Sequence, residues 1–245
     1  MEGYRISNIL HCKAVETAVN NGNSAGDKLC GVGHQIVDGA AEFLGLAHAT
    51  EGSLTYHILS ALGEDILRDS VSAYSEIRGI ALRYFNPVGA HPSALIGELP
   101  RGVPNNLVPF ITQTAIGIRE CLSVFGNDYP TPDGTCQRDF IDIVDLAKAH
   151  VFAVRRMLDG KMKKEYEIFN IGTGKPLSVM ELINAFEKAN NLKLNYKFAP
   201  RRAGDVTAIW ADPTLANNEL GWKAERSIED TLTAAWAWEK HLAGK

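Results

Sequence analysis

The sequence lacks several features that mark common classes of protein. No stretch reaches the ~18 uninterrupted apolar residues of a membrane-spanning helix, and the first residues contain no signal-peptide core. The four cysteines include no C-x-x-C pair, which fits reduced thiols better than a disulfide framework. A net charge of −4 gives no excess of lysine and arginine for a nucleic-acid surface. We therefore expect a cytoplasmic protein without a membrane, nucleic-acid or metal-binding role, in which any anion site is local.

The start of a dinucleotide-binding domain is also missing. Gly31 and Gly33 are followed by Gly39, which is not the spacing of a dinucleotide fingerprint, and no convincing strand precedes them. Residues 22–28 have the wrong spacing for a phosphate-binding P-loop. Residues 1–54 are therefore left unassigned, as a disordered or atypical segment.

From residue 57 onward, strand and helix patterns alternate, which predicts an α/β fold with a parallel sheet. On the first helix, Leu62 and Ile66 are predicted to face inward, with Glu64 on the opposite face. Ser178 and Glu181 form a capping box that predicts the start of a later helix. The predicted strands cover 79–86, 122–125, 138–143 and 166–172, and the predicted helices cover 57–71, 106–120 and 145–157, with others starting at 178, 212 and 227.

The strand that ends at Asn86 predicts where a ligand would bind. Ile80, Leu82 and Tyr84 alternate along it, and Asn86 and Pro87 end the run. In open α/β sheets, ligands bind beyond the carboxyl ends of the strands. Asn86 is therefore a candidate ligand-binding residue.

Arg138 and Arg202 are candidates for binding a phosphate group. A planar guanidinium holds phosphate oxygens in a water-poor cleft through charge-assisted hydrogen bonds. Each arginine also lies close to an aspartate in the sequence, so an ordinary surface ion pair is the alternative. The residue pattern alone leaves both interpretations open.

Five motifs, in the same order along the chain, resemble the UDP-glucose 4-epimerases of the extended short-chain dehydrogenase/reductase family. The resemblance covers about residues 64–238, and residues 1–54 do not share it. The motifs are Arg83 to His91, Gly102 to Pro109, Val124 to Tyr129, Arg138 to Ala147 and Pro200 to Asp205.

The resemblance implies a UDP-sugar site and an NAD site. Asn86, Arg138 and Arg202 would hold the diphosphate, and Asp205 the ribose hydroxyls. Ile209 would line the sugar pocket, where its intermediate size leaves N-acetylated sugars undecided. The implied uracil contacts are Asn106, Leu107, Ser123 and Phe125, where Phe125 also fits a core role and Asn106 a turn role, and the implied NAD contacts are Tyr56 and Phe85.

Catalysis in this family uses a tyrosine whose pKa is lowered by a lysine four positions later. The resemblance aligns Tyr56 with the tyrosine but places Ser60 at the lysine position, and no lysine lies between Lys28 and Lys148. An unassisted tyrosine titrates near pH ~10. Tyr56 is thus a candidate catalytic residue or an incidental tyrosine at a helix start, and the nearby His57 and the distant His91 are usually structural in such positions.

The combined expectation is a truncated Rossmann-like parallel sheet joined to the smaller α/β substrate-binding domain of this family. The domains would be an unassigned segment 1–54, a remnant of the NAD-binding domain at 55–90, and a UDP-sugar-binding domain at 91–245. The implied function is an isomerase of galactose metabolism that interconverts UDP-galactose and UDP-glucose with NAD, impaired in this chain.

Three further possibilities remain open. A non-catalytic UDP-sugar-binding module or degenerate fragment is one alternative, and a related sugar-nucleotide dehydratase or decarboxylase is another. The family also implies a possible homodimer. Because the strand before Asn86 would have an unpaired side, we expect marginal solubility or association with another chain.

Overall fold

The computed structural model describes the backbone of residues 12–15, 54–100 and 102–244, and the side chains of 61–100 and 102–244. The glycine-rich stretches at 22–28 and 31–39, and the side chains of Tyr56, His57 and Ser60, lie outside the described residues. The strands are β1 (Cys12–Val15), β2 (Gly79–Tyr84), β3 (Asn86–Val88), β4 (Leu122–Phe125), β5 (Gln137–Arg138), β6 (Phe140–Asp142), β7 (Tyr166–Ile171), β8 (Leu177–Ser178), β9 (Tyr196–Ala199) and β10 (Ala208–Ile209). The helices are α1 (Leu54–Ala73), α2 (Leu107–Ile116), α3 (Ile143–Leu158), α4 (Val179–Asn190) and α5 (Ile228–Leu242), with a π-helix at Ala216–Leu220.

The predicted α/β fold with parallel strands is confirmed. β2 pairs in parallel with β7, β3 with β6, β4 with β9 and β10 with β5. On its other side, β2 pairs antiparallel with β1. β2 therefore has a neighbour on both sides, which differs from the unpaired side expected from the sequence.

Two hydrophobic clusters form the core. One lies between β2, β7, α3 and the π-helix and includes Leu82, Phe169 and Trp222. The other lies between β4, α2, α4 and α5 and includes Val124 and Phe186. The later helices turn their apolar faces into these clusters, where Leu146, Ala149, Ala153, Leu182, Ile183, Leu232 and Ala235 are all buried.

Helix starts follow their capping signals. The capping box of Ser178 and Glu181 is present at α4, as predicted. α3 begins earlier than predicted, because the side chain of Asp142 accepts a hydrogen bond from Val144 N–H at 2.7 Å and caps the helix there. The segment after Pro213 forms a short helix that ends in the π-helix and at Gly221, which adopts the left-handed conformation as its C-cap.

The orientation predicted for α1 is wrong in its described part. Leu62 and Ile66 are 50% and 41% exposed, whereas Glu64 is only 2% exposed. Arg83 of β2 donates two hydrogen bonds to Glu64, at 2.7 and 2.6 Å. A buried carboxylate needs such a partner, and the sequence pattern of α1 by itself does not reveal that β2 supplies one.

Asp139 joins three segments of the chain in the interior. Its carboxylate is fully buried and accepts hydrogen bonds from Thr173 N–H and Oγ1 at 2.9 and 2.6 Å. It also accepts from Gly174 N–H at 3.0 Å and from Ala211 N–H at 3.1 Å. Asp139 thereby fixes the backbone of β5, which carries Arg138.

Asp142 and Asp145 anchor the C-terminal part of the chain in the same way. Asp142 accepts hydrogen bonds from Arg226 Nε at 2.9 Å and Thr231 Oγ1 at 2.7 Å. Asp145 accepts from the backbone N–H groups of Glu225 and Arg226, both at 2.8 Å. Asp139, Asp142 and Asp145 are called the buried aspartates below.

Candidate functional site

β4 presents two of the predicted ligand residues on one face. Leu122 and Val124 are buried in the core, so Ser123 and Phe125 face the other way and are half-buried. Phe125 lies opposite Ala199 of β9. The segment that follows β9 therefore leaves the sheet beside Phe125, which brings residues 200–205 to this face.

Arg202 is held against Phe125. Its guanidinium lies 4.7 Å from the centre of the Phe125 ring, which is a cation–π contact. Arg202 is exposed, and within residues 61–100 and 102–244 it forms no ion pair. The contact orients the guanidinium without neutralising it, so the charge remains available to an anion.

Arg201 has a different role, which the sequence analysis missed. It donates from Nε to the Asp128 carboxylate at 2.7 Å and from Nη2 to the Asp128 carbonyl at 2.6 Å. Its guanidinium also lies 4.1 Å from the centre of the Tyr129 ring. The hydrogen bond from Arg201 lowers the pKa of Asp128. Arg201 thus fixes the start of the segment on which Arg202 lies.

Arg138 and Asp205 contact each other directly. Arg138 donates from Nη2 to the Asp205 carboxylate at 3.1 Å, and from Nη1 to the carbonyls of Gln137 and Val206, both at 2.8 Å. Both side chains are mostly buried, at 16% and 20% exposure. Two residues predicted to bind different parts of one ligand are therefore adjacent, although 67 positions separate them in the sequence.

Two further predicted residues lie on elements that adjoin this pair. Ile209 of β10 is opposite Arg138 in the parallel pairing of β10 with β5, and it is half-buried. Asn86 opens β3 opposite Phe140, and its N–H donates to the carbonyl of Asp139 at 3.0 Å. Asn86 is thus bound to the residue that directly follows Arg138.

Asn106 and Leu107 lie at the start of α2. Leu107 packs against the core cluster that contains Val124, which places this helix end against β4. Asn106 donates from Nδ2 to the Glu98 carboxylate at 2.8 Å. Among the described residues, Asn106 has no hydrogen bond to Ser123, Phe125 or the arginines.

Tyr129 is buried beneath Arg201 and close to the charges of the site. Its hydroxyl has no hydrogen-bond partner among the described residues. Burial, followed by the negative charge of Asp205, raises the pKa of Tyr129. Gly126 packs against the Tyr129 ring at a φ of +80°, where a side chain would overlap the ring. An unpaired hydroxyl in such a place costs free energy.

Of the two residues predicted to contact NAD, only Phe85 has its side chain in the described part of the chain. Phe85 is buried, at 8% exposure, and its N–H donates to the Ile171 carbonyl at 3.1 Å. The side chain of Tyr56 lies outside the described residues, and the sequence has no glycine fingerprint to bind the pyrophosphate. Phe85 alone does not provide a cofactor site.

The described residues carry neither a membrane-spanning helix nor a metal-binding cluster. None of the helices there is both long enough and apolar enough to cross a bilayer. In that same part of the chain, no three histidine, cysteine, aspartate or glutamate side chains are grouped so that they could hold a metal ion.

Solved structures of related sequence share this fold. A UDP-glucose 4-epimerase from Stenotrophomonas maltophila, solved with bound NAD and formylated UDP-arabinopyranose, superposes with a TM-score of 0.74 at 42% identity, covering 79% of this chain and 56% of that one. The enzyme from Bifidobacterium longum, in complex with NAD+ and UDP, gives a TM-score of 0.70 at 44% identity, covering 76% of this chain and 55% of that one.

Curated proteins and a family model agree with these structures. The UDP-glucose 4-epimerase of Bacillus subtilis (strain 168) is 50% identical over 176 residues, which are 72% of this chain and 51% of that protein. The chain spans about half the length of the curated relatives it matches. The family model described as GDP-mannose 4,6 dehydratase matches residues 60–235. The chain therefore belongs to the GDP-mannose 4,6 dehydratase family, and its resemblance to the UDP-glucose 4-epimerases is confirmed.

Proposed function

We propose that this chain binds the UDP portion of a nucleotide sugar on the face formed by β4, β5 and the segment 200–205. The observation that carries the proposal is the contact between Arg138 and Asp205, with Arg202 held on Phe125 beside it. This arrangement joins a guanidinium for phosphate, a carboxylate for hydroxyl donors and an aromatic ring for a base.

The charge balance of the site supports a diphosphate ligand. Arg138 is already paired with Asp205, so this pair contributes little net charge. Arg202 supplies an additional positive charge that no described carboxylate neutralises. Asn86 and the start of α2 would complete the diphosphate and uracil contacts, and Ile209 would border the sugar.

The whole reaction that we propose is the interconversion of UDP-galactose and UDP-glucose with NAD, as in the epimerases that this chain resembles. Binding of NAD would require the glycine fingerprint, and catalysis would require a lysine four positions after Tyr56. This sequence has neither. We therefore propose that this chain binds UDP sugar and is impaired in catalysis. A cytoplasmic location and a homodimer are part of the same proposal and rest on the family.

Calorimetric titration with UDP tests the binding. We expect micromolar binding by the chain and at least about tenfold weaker binding by Arg202→Ala, since a charge-assisted hydrogen bond is worth ~1.5–3 kcal/mol. Arg155→Ala is the matched control, because Arg155 is an exposed arginine on α3, outside the proposed site. No binding by the unmodified chain, or equal affinity in Arg202→Ala, would contradict the proposed site.

A non-catalytic UDP-sugar-binding module is the second candidate, and the missing lysine favours it. An assay of UDP-galactose conversion with added NAD separates the two. Binding of UDP without turnover supports the module, whereas turnover at the rate of a complete epimerase contradicts the proposed impairment.

A further inference from the structure

Asn106 occupies the N-cap position of α2 without capping the helix. Its backbone is extended, with φ −89° and ψ 146°, and its side chain makes no capping hydrogen bond. A capping side chain accepts a hydrogen bond from the second or third residue of the helix. The third residue here is Pro109, which has no N–H. The carboxamide of Asn106 is thus used elsewhere.

Glu98 fixes the orientation of that carboxamide. Asn106 Nδ2 donates to Glu98 Oε1 at 2.8 Å. An ionised carboxylate accepts hydrogen bonds and cannot donate them. It therefore selects the orientation in which the amide nitrogen of Asn106 faces Glu98, and this leaves the amide oxygen and the second N–H for other partners.

Trp238 of α5 holds Glu98 in place. Its Nε1 donates to the Glu98 carbonyl at 2.8 Å, and its ring packs on Gly97, where a side chain would overlap the indole. The loop that leads to Glu98 is closed by the pairing of Ala90 with Gly97. The backbone of Glu98 is therefore fixed by two neighbouring contacts with one indole.

We propose that Glu98 is a positioning residue for Asn106, and that Trp238 positions Glu98 in turn. This inference rests on the proposed function, in which Asn106 contacts the nucleotide. A carboxamide that is already fixed binds its ligand with less loss of side-chain entropy than a free one. Nucleotide affinity then depends on two side chains that need not touch the nucleotide.

Calorimetric titration with UDP measures the effect on affinity. We expect Glu98→Ala to bind about tenfold more weakly, which corresponds to one lost hydrogen bond. Glu98→Gln should stay within about twofold of the unmodified chain, because its amide oxygen still accepts from Asn106. Trp238→Phe keeps a ring over Gly97 but removes the N–H, and we expect a smaller loss. Glu76→Ala, a remote exposed glutamate, is the matched control.

A double-mutant cycle separates positioning from general structural damage. If Glu98 acts through Asn106, Glu98→Ala will not weaken binding further once Asn106→Ala is present. Additive losses, or a Glu98→Gln variant as weak as Glu98→Ala, would overturn the proposal. Thermal unfolding of every variant shows whether a loss of affinity follows a loss of folded protein.

A second measurement needs no nucleotide. In isotope-labelled protein, the side-chain amide protons of Asn106 should shift in Glu98→Ala, which removes their acceptor, and should stay close to their original positions in the control Glu76→Ala. If UDP does not bind but these protons respond, the proposed function fails and the positioning stands. If they do not respond, the positioning is wrong whether or not UDP binds.

Discussion

Charged side chains serve opposite purposes in the interior and at the candidate site. The buried aspartates accept hydrogen bonds from backbone and side-chain donors of distant segments, and Asp139 alone has four such donors. At the candidate site, the guanidinium of Arg202 is exposed and lies on an aromatic ring, and it forms no ion pair among the described residues.

The difference separates charges that maintain the fold from an exposed charge that, in the proposed function, binds a ligand. A buried ion whose hydrogen bonds are all satisfied cannot be lost without leaving its donors unpaired. An exposed guanidinium on an aromatic face contributes little to stability, because solvent screens it. Substitutions of the buried aspartates should therefore reduce stability, and substitutions at the candidate site should reduce the affinity for UDP.

Asp139→Ala should have the largest effect. It would leave one buried N–H group, two partly buried N–H groups and one hydroxyl without their acceptor, so we expect the free energy of unfolding to fall by ~3–5 kcal/mol. Urea denaturation measures it. Asp65→Ala is the control, since Asp65 is 56% exposed in an ion pair within one helix, and its loss should cost under ~0.5 kcal/mol. Similar losses of unfolding free energy in Asp139→Ala and Asp65→Ala would contradict the difference between buried and exposed charges.

The buried ion pair of Arg156 and Glu167 should make stability depend on pH in the acid range. Burial alone would raise the pKa of Glu167, but the hydrogen bonds from Arg156 and from Lys163 N–H outweigh it and hold that pKa below its ordinary value of 4.5. The stabilisation is therefore complete above pH 4.5 and is lost as the pH falls through the lower, folded-state pKa.

Glu167→Gln tests this dependence. We expect it to cost ~1.5–3 kcal/mol at neutral pH and to flatten the acid slope of the unfolding free energy. Urea denaturation across the acid range measures both. Glu165→Gln is the control, because Glu165 is 65% exposed. An unchanged slope in Glu167→Gln would show that the pair does not titrate with folding.

Arg138→Lys should moderately reduce both the stability of the chain and its affinity for UDP. Lysine keeps the charge, but its single ammonium group cannot reach Asp205 and two carbonyls at once as the planar guanidinium does. We expect ~1 kcal/mol less stability and about tenfold weaker UDP binding, measured by denaturation and calorimetry. Arg155→Lys, remote from the site, should change neither. A loss of stability without a loss of affinity would show that Arg138 maintains the fold and does not bind the ligand.

Tyr129→Phe should change stability the least, and any change should be an increase. Removing a buried hydroxyl that lacks a partner should leave stability unchanged or raise it by up to ~1 kcal/mol. Thermal unfolding measures this, with the more exposed Tyr196→Phe as control. A clear destabilisation would show that a water molecule or a ligand hydrogen-bonds to Tyr129.

Local signals in the sequence predicted much of the fold. The capping box at Ser178 depends on residues three positions apart, so sequence alone reveals it. The buried position of Glu64 depends on Arg83, which comes from another element, and the amphipathic pattern of α1 gave the wrong face. Prediction succeeded where the deciding contact was local.

The candidate site shows the same limit. Arg201 and Arg202 are adjacent and chemically identical, yet one is bound to Asp128 and the other lies on Phe125. The sequence does not distinguish them, because their neighbours come from the strand pairing of β4 with β9, which brings the segment after Ala199 beside Phe125. The contact between Glu98 and Trp238 was missed for a similar reason, since 140 positions separate the two residues.

The 67-residue separation of Arg138 and Asp205 has a consequence for how the chain folds and how it can be divided. Contacts between such distant positions form only after the intervening chain has closed a loop, which slows folding. A proteolytic fragment that stops before residue 205 would retain β4 and β5 and still be unable to pair these two residues. A nucleotide bound as proposed would contact both ends of that loop, so its binding energy should add to the resistance of this part of the chain to unfolding.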